Sequence, residues 1–185
     1  MFGQLNSNHL IRKFTIIFGT LFNDLKIQRV SSTNTETVHI PISYVPKVKM
    51  LSLAKADPKE KNVSIVVPRL GFELVDISYD PERKQNSLNK IMTDANNFTF
   101  APAPYNFQFE LSILVKEHSD ATDIIEQILP YFQPEWTVKA KLIETSDNLD
   151  SSPIILTSVD FTDNYQTDVE QRQFIMWTLK FTLKG

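Results

Sequence analysis

The chain has no cysteine in 185 residues, which excludes disulfides, thiolate metal sites and a thiol nucleophile. Its fold therefore requires no oxidising compartment. Glycine is scarce: Gly3, Gly19, Gly71 and Gly185 are the only four. Neither a phosphate-cradling loop nor a serine-nucleophile elbow can be assembled from them. The three histidines, His9, His39 and His118, stand apart without metal-ligand spacing, so surface or capping roles are expected. A basic surplus is missing too. The net charge of −3 argues against a general nucleic-acid binder. Long apolar runs are also absent. Phe14 to Phe22 is interrupted by Thr15, Gly19 and Thr20, is too short to span a bilayer and shows no cleavage pattern. A soluble intracellular protein without signal peptide or membrane helix is expected.

Hydrophobic residues make up 42% and charged residues 22%, the balance of an ordinary globular protein. Thirteen Phe, five Tyr and two Trp supply a large aromatic stock for core or interface. There is no internal repeat and no Gly/Ser linker, so the length prior gives a single domain over residues 1–185.

Periodicity supplies the elements. After Asn6-Ser7-Asn8, any of which could cap a helix, Leu10, Phe14, Ile17, Phe18 and Leu21 follow at helical spacing. That predicts an amphipathic helix of about four turns. Leu25 to Val30 alternates as a strand, Thr33-Asn34-Thr35 makes a turn, and Val38, Ile40, Ile42 and Tyr44 make a second strand. Pro41 places this strand at an edge or a bulge. Lys47 to Asn62 reads as a helix–loop or exposed connection. Val63 to Tyr79 reads as strand broken at Pro68 and Gly71, and Asp80 to Thr93 as a polar surface loop. The clearest strand is Tyr105, Phe107, Phe109, Leu111, Ile113 and Val115, alternating with more polar partners. Ser119 or Asp120 should cap a helix carrying Ala121, Ile124, Ile125, Ile128 and Phe132 on one face, with Pro130 ending it. Trp136 to Ile143 is a further strand, followed by a polar loop from Glu144 to Ser152. Two last strands finish the chain, with Ile155, Thr157, Val159 and Phe161 on one side of the first. In the second, Ile175, Trp177, Leu179, Phe181 and Leu183 form the inward side. Strands that do not alternate strictly with helices give an α+β fold: a mixed, largely antiparallel sheet with flanking helices.

Candidate chemistry is thin. Three carboxylate pairs could serve acid–base hydrolysis: Glu73/Asp76, Asp80/Glu82 and Asp160/Asp163. On a regular strand an i,i+3 pair points to opposite faces, so Glu73 and Asp76 are not expected to share a site. The other two pairs lie at expected turns, where Asp bonds its own backbone. The lysines from Lys47 to Lys61 are interrupted by Asp57 and Glu60 and read as solvated surface. Tyr105-Phe107-Phe109 resembles a base-stacking platform, but it continues into aliphatics and reads as core. Phe174 and Met176 lie on the outward side of the last strand, which suggests either a covered sheet face or a subunit contact. No catalytic residue, metal or cofactor is expected.

One segment is family-like: Ile124-Ile125-Glu126-Gln127-Ile128-Leu129-Pro130-Tyr131-Phe132-Gln133-Pro134. It resembles the tail sheath stabiliser and completion proteins of T-even-like contractile-tailed bacteriophages. Met1-Phe2-Gly3 matches the family's opening, and Arg12-Lys13-Phe14, Gly19, Leu21-Phe22, Ile27 and Arg29 resemble its first helix and strand. Pro41-Ile42-Ser43-Tyr44, Pro68-Arg69, Leu74-Val75-Asp76, Ser78-Tyr79 and Glu110-Leu111-Ser112-Ile113 recur in order. Arg172, Trp177, Leu179 and Phe181 fit the last strand. This chain stops at Gly185, whereas a family member runs on with a proline- and acid-rich tail.

The resemblance implies a tail-terminator-like fold and a structural role in the virion. It implies a hexameric ring at the head-proximal end of the tail, bound to the last sheath ring, the tail-tube terminator and the neck proteins. DNA would pass through the ring without specific binding, and no membrane is involved. Tyr131 and Gln133 within the family-like run join Phe174 and Met176 as candidate protein-interface residues. The near alternative is the tube terminator itself or a neck adaptor. The distant one is a small hydrolase using a carboxylate pair.

Overall fold

The computed structural model describes residues 9–30, 35–54, 66–86, 88–94, 97–100, 103–141, 150–165 and 172–185. The expected turn at 33–34 and the stretches 55–65 and 142–149 lie outside the described residues. The chain opens with helix α1 (Leu10–Leu21), then strands β1 (Lys26–Val30), β2 (Thr35–His39) and β3 (Ile42–Tyr44). Helix α2 (Lys47–Ala54) precedes β4 (Arg69–Tyr79), β5 (Lys90–Asp94), β6 (Asn97–Phe100) and β7 (Tyr105–Val115). Helix α3 (His118–Ile128) runs into a 3-10 turn at Leu129–Tyr131. Strands β8 (Glu135–Ala140), β9 (Asp150–Tyr165) and β10 (Arg172–Lys184) follow.

Six strands form one sheet in the order β3-β4-β7-β10-β9-β8, and β1–β2 and β5–β6 are separate antiparallel pairs. Every neighbour in the large sheet is antiparallel except β3 beside β4. The mixed, largely antiparallel α+β arrangement expected from the element order is therefore the one observed. At its centre β7 and β10 align Phe109 with Phe181, Leu111 with Leu179 and Ile113 with Trp177. Their shared face packs under α1 and α3, because those helices bury Phe14 and Phe18, and Ala121, Ile124, Ile125 and Ile128, on single stripes. Phe18 is the hub: its ring stacks on Phe109 at 4.5 Å and meets Phe22, Phe181 and Phe72 at 5.1, 5.3 and 5.6 Å. Such ring pairs add about 0.5–1.5 kcal/mol each beyond the area they bury.

Several local expectations are corrected. The strand expected from Val38 to Tyr44 is split at Ile40 and Pro41. The Ile40 amide donates to Leu25 O at 3.1 Å, whereas the Pro41 carbonyl accepts from Leu70 N at 3.0 Å. Proline has no N–H to continue the hairpin, so the chain changes sheets there, and β3 becomes an edge. β4 runs unbroken through Gly71, where α2 comes close: a Cβ there would stand 2.9 Å from Met50 Sδ. Lys90–Asp94 pairs antiparallel with Asn97–Phe100, although a loop was expected from Asp80 to Thr93, and the polar loop expected to Ser152 gives way to β9 already at Asp150. The N-cap of α3 is Glu117, not Ser119 or Asp120, and it makes no side-chain cap bond. Asp120 instead lies buried in the first helical turn and accepts from Arg29 Nη2 at 2.8 Å, tying α3 to β1. That hydrogen bond, with the carboxylate's charge, raises the Arg29 pKa further. Finally, a bulge at Thr157 shifts β9 against β10, so that Phe181 pairs with Leu156 and Lys180 with Ser158. The extra residue flips the strand's faces. Ile154 and Leu156 therefore meet the core before the bulge and Val159 after it, in place of the expected Ile155 and Thr157.

Candidate functional site

Among the described residues, those that could carry chemistry do not converge. His39 Nε2 lies 2.8 Å from Asn23 O, and the His118 ring packs beside Phe161 and Trp177 at 6.0 and 6.2 Å. His9 stands at the N-cap position of α1. Among the described residues no three His, Asp or Glu side chains are grouped as a metal would need. Phe107 and Phe109 are buried core, as their continuity with aliphatics implied, whereas Tyr105 at the start of the strand is 41% exposed.

Glu73, Asp80 and Asp160 are each engaged by a neighbour within the fold. A bulge at Val75 places Glu73 opposite Glu110 and Asp76 opposite Gln108. Glu73 and Asp76 thus share a face, contrary to the regular-strand expectation, because the bulge adds one residue between them. Yet Glu73 is already engaged: its Oε1 accepts from Lys47 N at 2.9 Å, satisfying a free amide at the start of α2. Asp80 binds Arg83 Nε at 2.8 Å and the Glu82 amide at 3.1 Å, as expected of a turn. The Arg83 guanidinium and the Glu82 amide hold the Asp80 carboxyl below its ordinary range. Arg83 also donates to Asn106 Oδ1 at 3.0 Å, pinning this turn to the start of β7. Asp160 pairs with Lys180 Nζ at 2.9 Å, an exposed contact that lowers the acid's pKa and raises the base's. The side chain of Asp163 lies outside the described residues.

The four candidate interface residues separate into two places. Met176 is fully buried beneath α2 with Met50 and Leu114, and the partly buried Phe174 packs against them. Within this chain that is the covered sheet face, the first of the two alternatives. Tyr131 and Gln133 are exposed in the stretch that links α3 to β8. Tyr131, 61% exposed, sets its ring edge-on to Trp136 at 5.2 Å. Together with Leu21, Leu25, Ile128 and Phe132 they line an apolar groove of about 160 Å³. Trp136 was read only as a strand residue. Its part in the groove needs the end of α1 and the start of β8 to meet, which local periodicity does not report.

Set beside known proteins, the chain matches a family model over residues 6–185, that of the T4-like virus Myoviridae tail sheath stabiliser. It is also 28% identical to tail completion protein gp15 of Enterobacteria phage T4. That alignment takes in all of this chain and 72% of the phage T4 protein. The match runs from before α1 through β10, including the surfaces just described. The chain belongs to the T4-like virus Myoviridae tail sheath stabiliser family and is a structural component of a phage tail.

Proposed function

We propose that the chain is one subunit of a ring, hexameric by analogy with the family resemblance, at the head-proximal end of a contractile tail. The ring holds the upper end of the extended sheath and offers the surface on which the neck docks. Its residues 1–185 act as one tail-completion domain. The observation that carries this reading is the family match over residues 6–185, which leaves almost no part of the chain unaccounted for. Its partners are copies of itself, the sheath protein, the tube terminator and the neck proteins, and DNA passes through without specific contact. Binding free energy performs the work: head-to-tail contacts between identical subunits close after a fixed rotation. Tyr131 and Gln133, with Trp136 behind them, are the residues we assign to a neighbouring tail protein. They are exposed and aromatic-rich, as contact hot spots tend to be.

Electron cryo-microscopy of tails assembled with and without this protein tests the proposal. A six-fold ring on the terminal sheath disc is expected. A ring that caps bare tubes and leaves sheath unbound would move the assignment to the tube terminator. Tyr131→Ala should lower incorporation into tails about tenfold or more while the circular-dichroism spectrum stays unchanged.

A further inference from the structure

The six-stranded sheet has two borders, and both are open among the described residues. β8 forms one border and pairs only with β9. At the other, β3 covers β4 only from Leu70 to Phe72, so the remainder of β4 to Tyr79 pairs with β7 alone. The backbone groups of that half which point away from β7 have no backbone partner among the described residues. Natural sheets usually guard such edges with proline, lysine or a very short strand. β3 is guarded in this way, being three residues long between Pro41 and Pro46. From Glu73 to Tyr79 there is neither proline nor lysine. The bulge at Val75 ends before Asp76, beyond which the strand is regular.

The two open borders also match each other. Four antiparallel steps, β4–β7, β7–β10, β10–β9 and β9–β8, leave β4 and β8 pointing the same way. Rotation about an axis lying along the strands preserves that direction, so successive copies would meet in parallel. The faces agree as well. Ile77 and Tyr79 stand on the core side of β4, 40% and 44% exposed, and Trp136, Val138 and Ala140 stand on the core side of β8. On the other side β4 offers Asp76 and Ser78, and β8 offers Thr137 and Lys139. Apolar flank meets apolar flank, and an exposed acid meets an exposed base. A single open edge would allow only a two-fold pairing. Two different, complementary edges on one sheet propagate head to tail, which is the geometry a closed ring requires.

We infer that copies of this chain join edge to edge, β8 of one running parallel to the Glu73–Tyr79 half of β4 in the next, so that their sheets form one continuous circular band. The inference rests on the ring reading above and names the surface that closes the ring. The absence of native cysteine makes the test direct. Asp76→Cys is mixed with Glu135→Cys, Thr137→Cys or Lys139→Cys, each exposed, on one face and spaced two residues apart. A disulfide forms only where Cα atoms come within about 4.4–6.8 Å, and alternate strand residues are about 6.6 Å apart. At least one of the three mixtures, oxidised in assembled tails, should therefore give a covalent dimer as its main product. The corresponding double variant should give a ladder ending at the ring's full subunit number. Gln28→Cys on exposed β1, mixed with Asp76→Cys, should give none. Rings seen by native mass spectrometry without any of these cross-links would overturn the edge assignment and leave the ring reading standing. Cross-linking of β8 cysteines to sheath protein instead would also overturn it. Monomers alone, with tube and sheath present, would remove both.

Discussion

Gly19 and Gly71 both admit a close neighbour, but the neighbours differ in stiffness. A methyl group on Gly19 would stand 2.7 Å from Phe72 Cζ, and one on Gly71 would stand 2.9 Å from Met50 Sδ. Phe72 cannot yield easily, since its ring is held between Phe18 at 5.6 Å and Tyr44 at 5.3 Å. Alanine in a helix interior gains about 1 kcal/mol over glycine, and overpacking a tight core costs about 1–3 kcal/mol. Gly19→Ala should therefore lose up to about 2 kcal/mol net. Met50 is unbranched and can turn its thioether aside, so Gly71→Ala should stay within about 1 kcal/mol of the parent. Chemical denaturation midpoints compare the two, and a Gly19→Ala chain at least as stable as the parent would refute the packing described for α1. The Asp80–Arg83 contact makes a different claim, about acid. Its carboxyl has a lowered pKa in the fold, so its contribution is complete above the unfolded value of about 3.9 and is lost as pH falls through the folded one. Asp80→Asn should thus destabilise at neutral pH, with the difference closing as pH falls through the lowered folded value. Thermal melts across that range show it, and a deficit that persists unchanged in acid would mean the charge is irrelevant.

Helix α2 is held at one end by a single side chain, Glu73, and covers the small cluster of Met50, Leu114 and Met176. Glu73→Ala would free the Lys47 amide, a loss typical of a helix cap at about 0.5–2 kcal/mol. Hydrogen exchange should quicken across residues 47–54 while the amides of β7 and β10 stay protected. Uniform acceleration through the sheet would mean that α2 does not open by itself. How far such elements can be read from sequence depends on how regular they are. α1, β7 and β10 were legible because the residues they turn toward the main core keep strict helical or two-residue spacing. β9 was misread because one extra residue at Thr157 reverses inside and outside with no compositional sign. The split at Pro41 was half visible: proline marked the edge but not the change of sheet. Glu73 could not be recognised as a cap, since its partner amide lies 26 residues away and faces it only through the tertiary fold. The family-like run at Ile124–Pro134 disclosed Tyr131 and Gln133, whereas Met176 looked outward only because α2, its cover, comes from a distant stretch with weak amphipathic pattern.

In the whole molecule the large sheet is made of two parts that meet only through one strand. β3, β4 and β7 pair among themselves on one side, β8 and β9 on the other, and β10 lies between β7 and β9. The register of β10 with β7 runs from Ile175 to Lys184, and with β9 from Arg172 to Leu183, so nearly its whole length is shared. Leu179 and Phe181 of β10 lie in the same core cluster as the α1 aromatics and Ile154 of β9. A chain shortened to end at residue 165 should keep helix and strand signals but bind a hydrophobic dye strongly and fail to melt cooperatively. Cooperative melting of that fragment would mean that the halves hold together without β10.

The same arrangement has a consequence for the order of synthesis. β10 is the last described element to be made, yet it occupies the middle of the sheet. While the ribosome is still working, β7 and β9 each display an unpaired, largely apolar flank that nothing yet made can cover. Contacts of such long sequence separation form slowly, and exposed strand edges invite wrong partners. The two borders proposed to meet between copies belong to opposite halves of the unfinished sheet, so they acquire a fixed spacing only when β10 enters. Entry of β10 would then be the event that licenses assembly, a safeguard against rings built from half-made sheets.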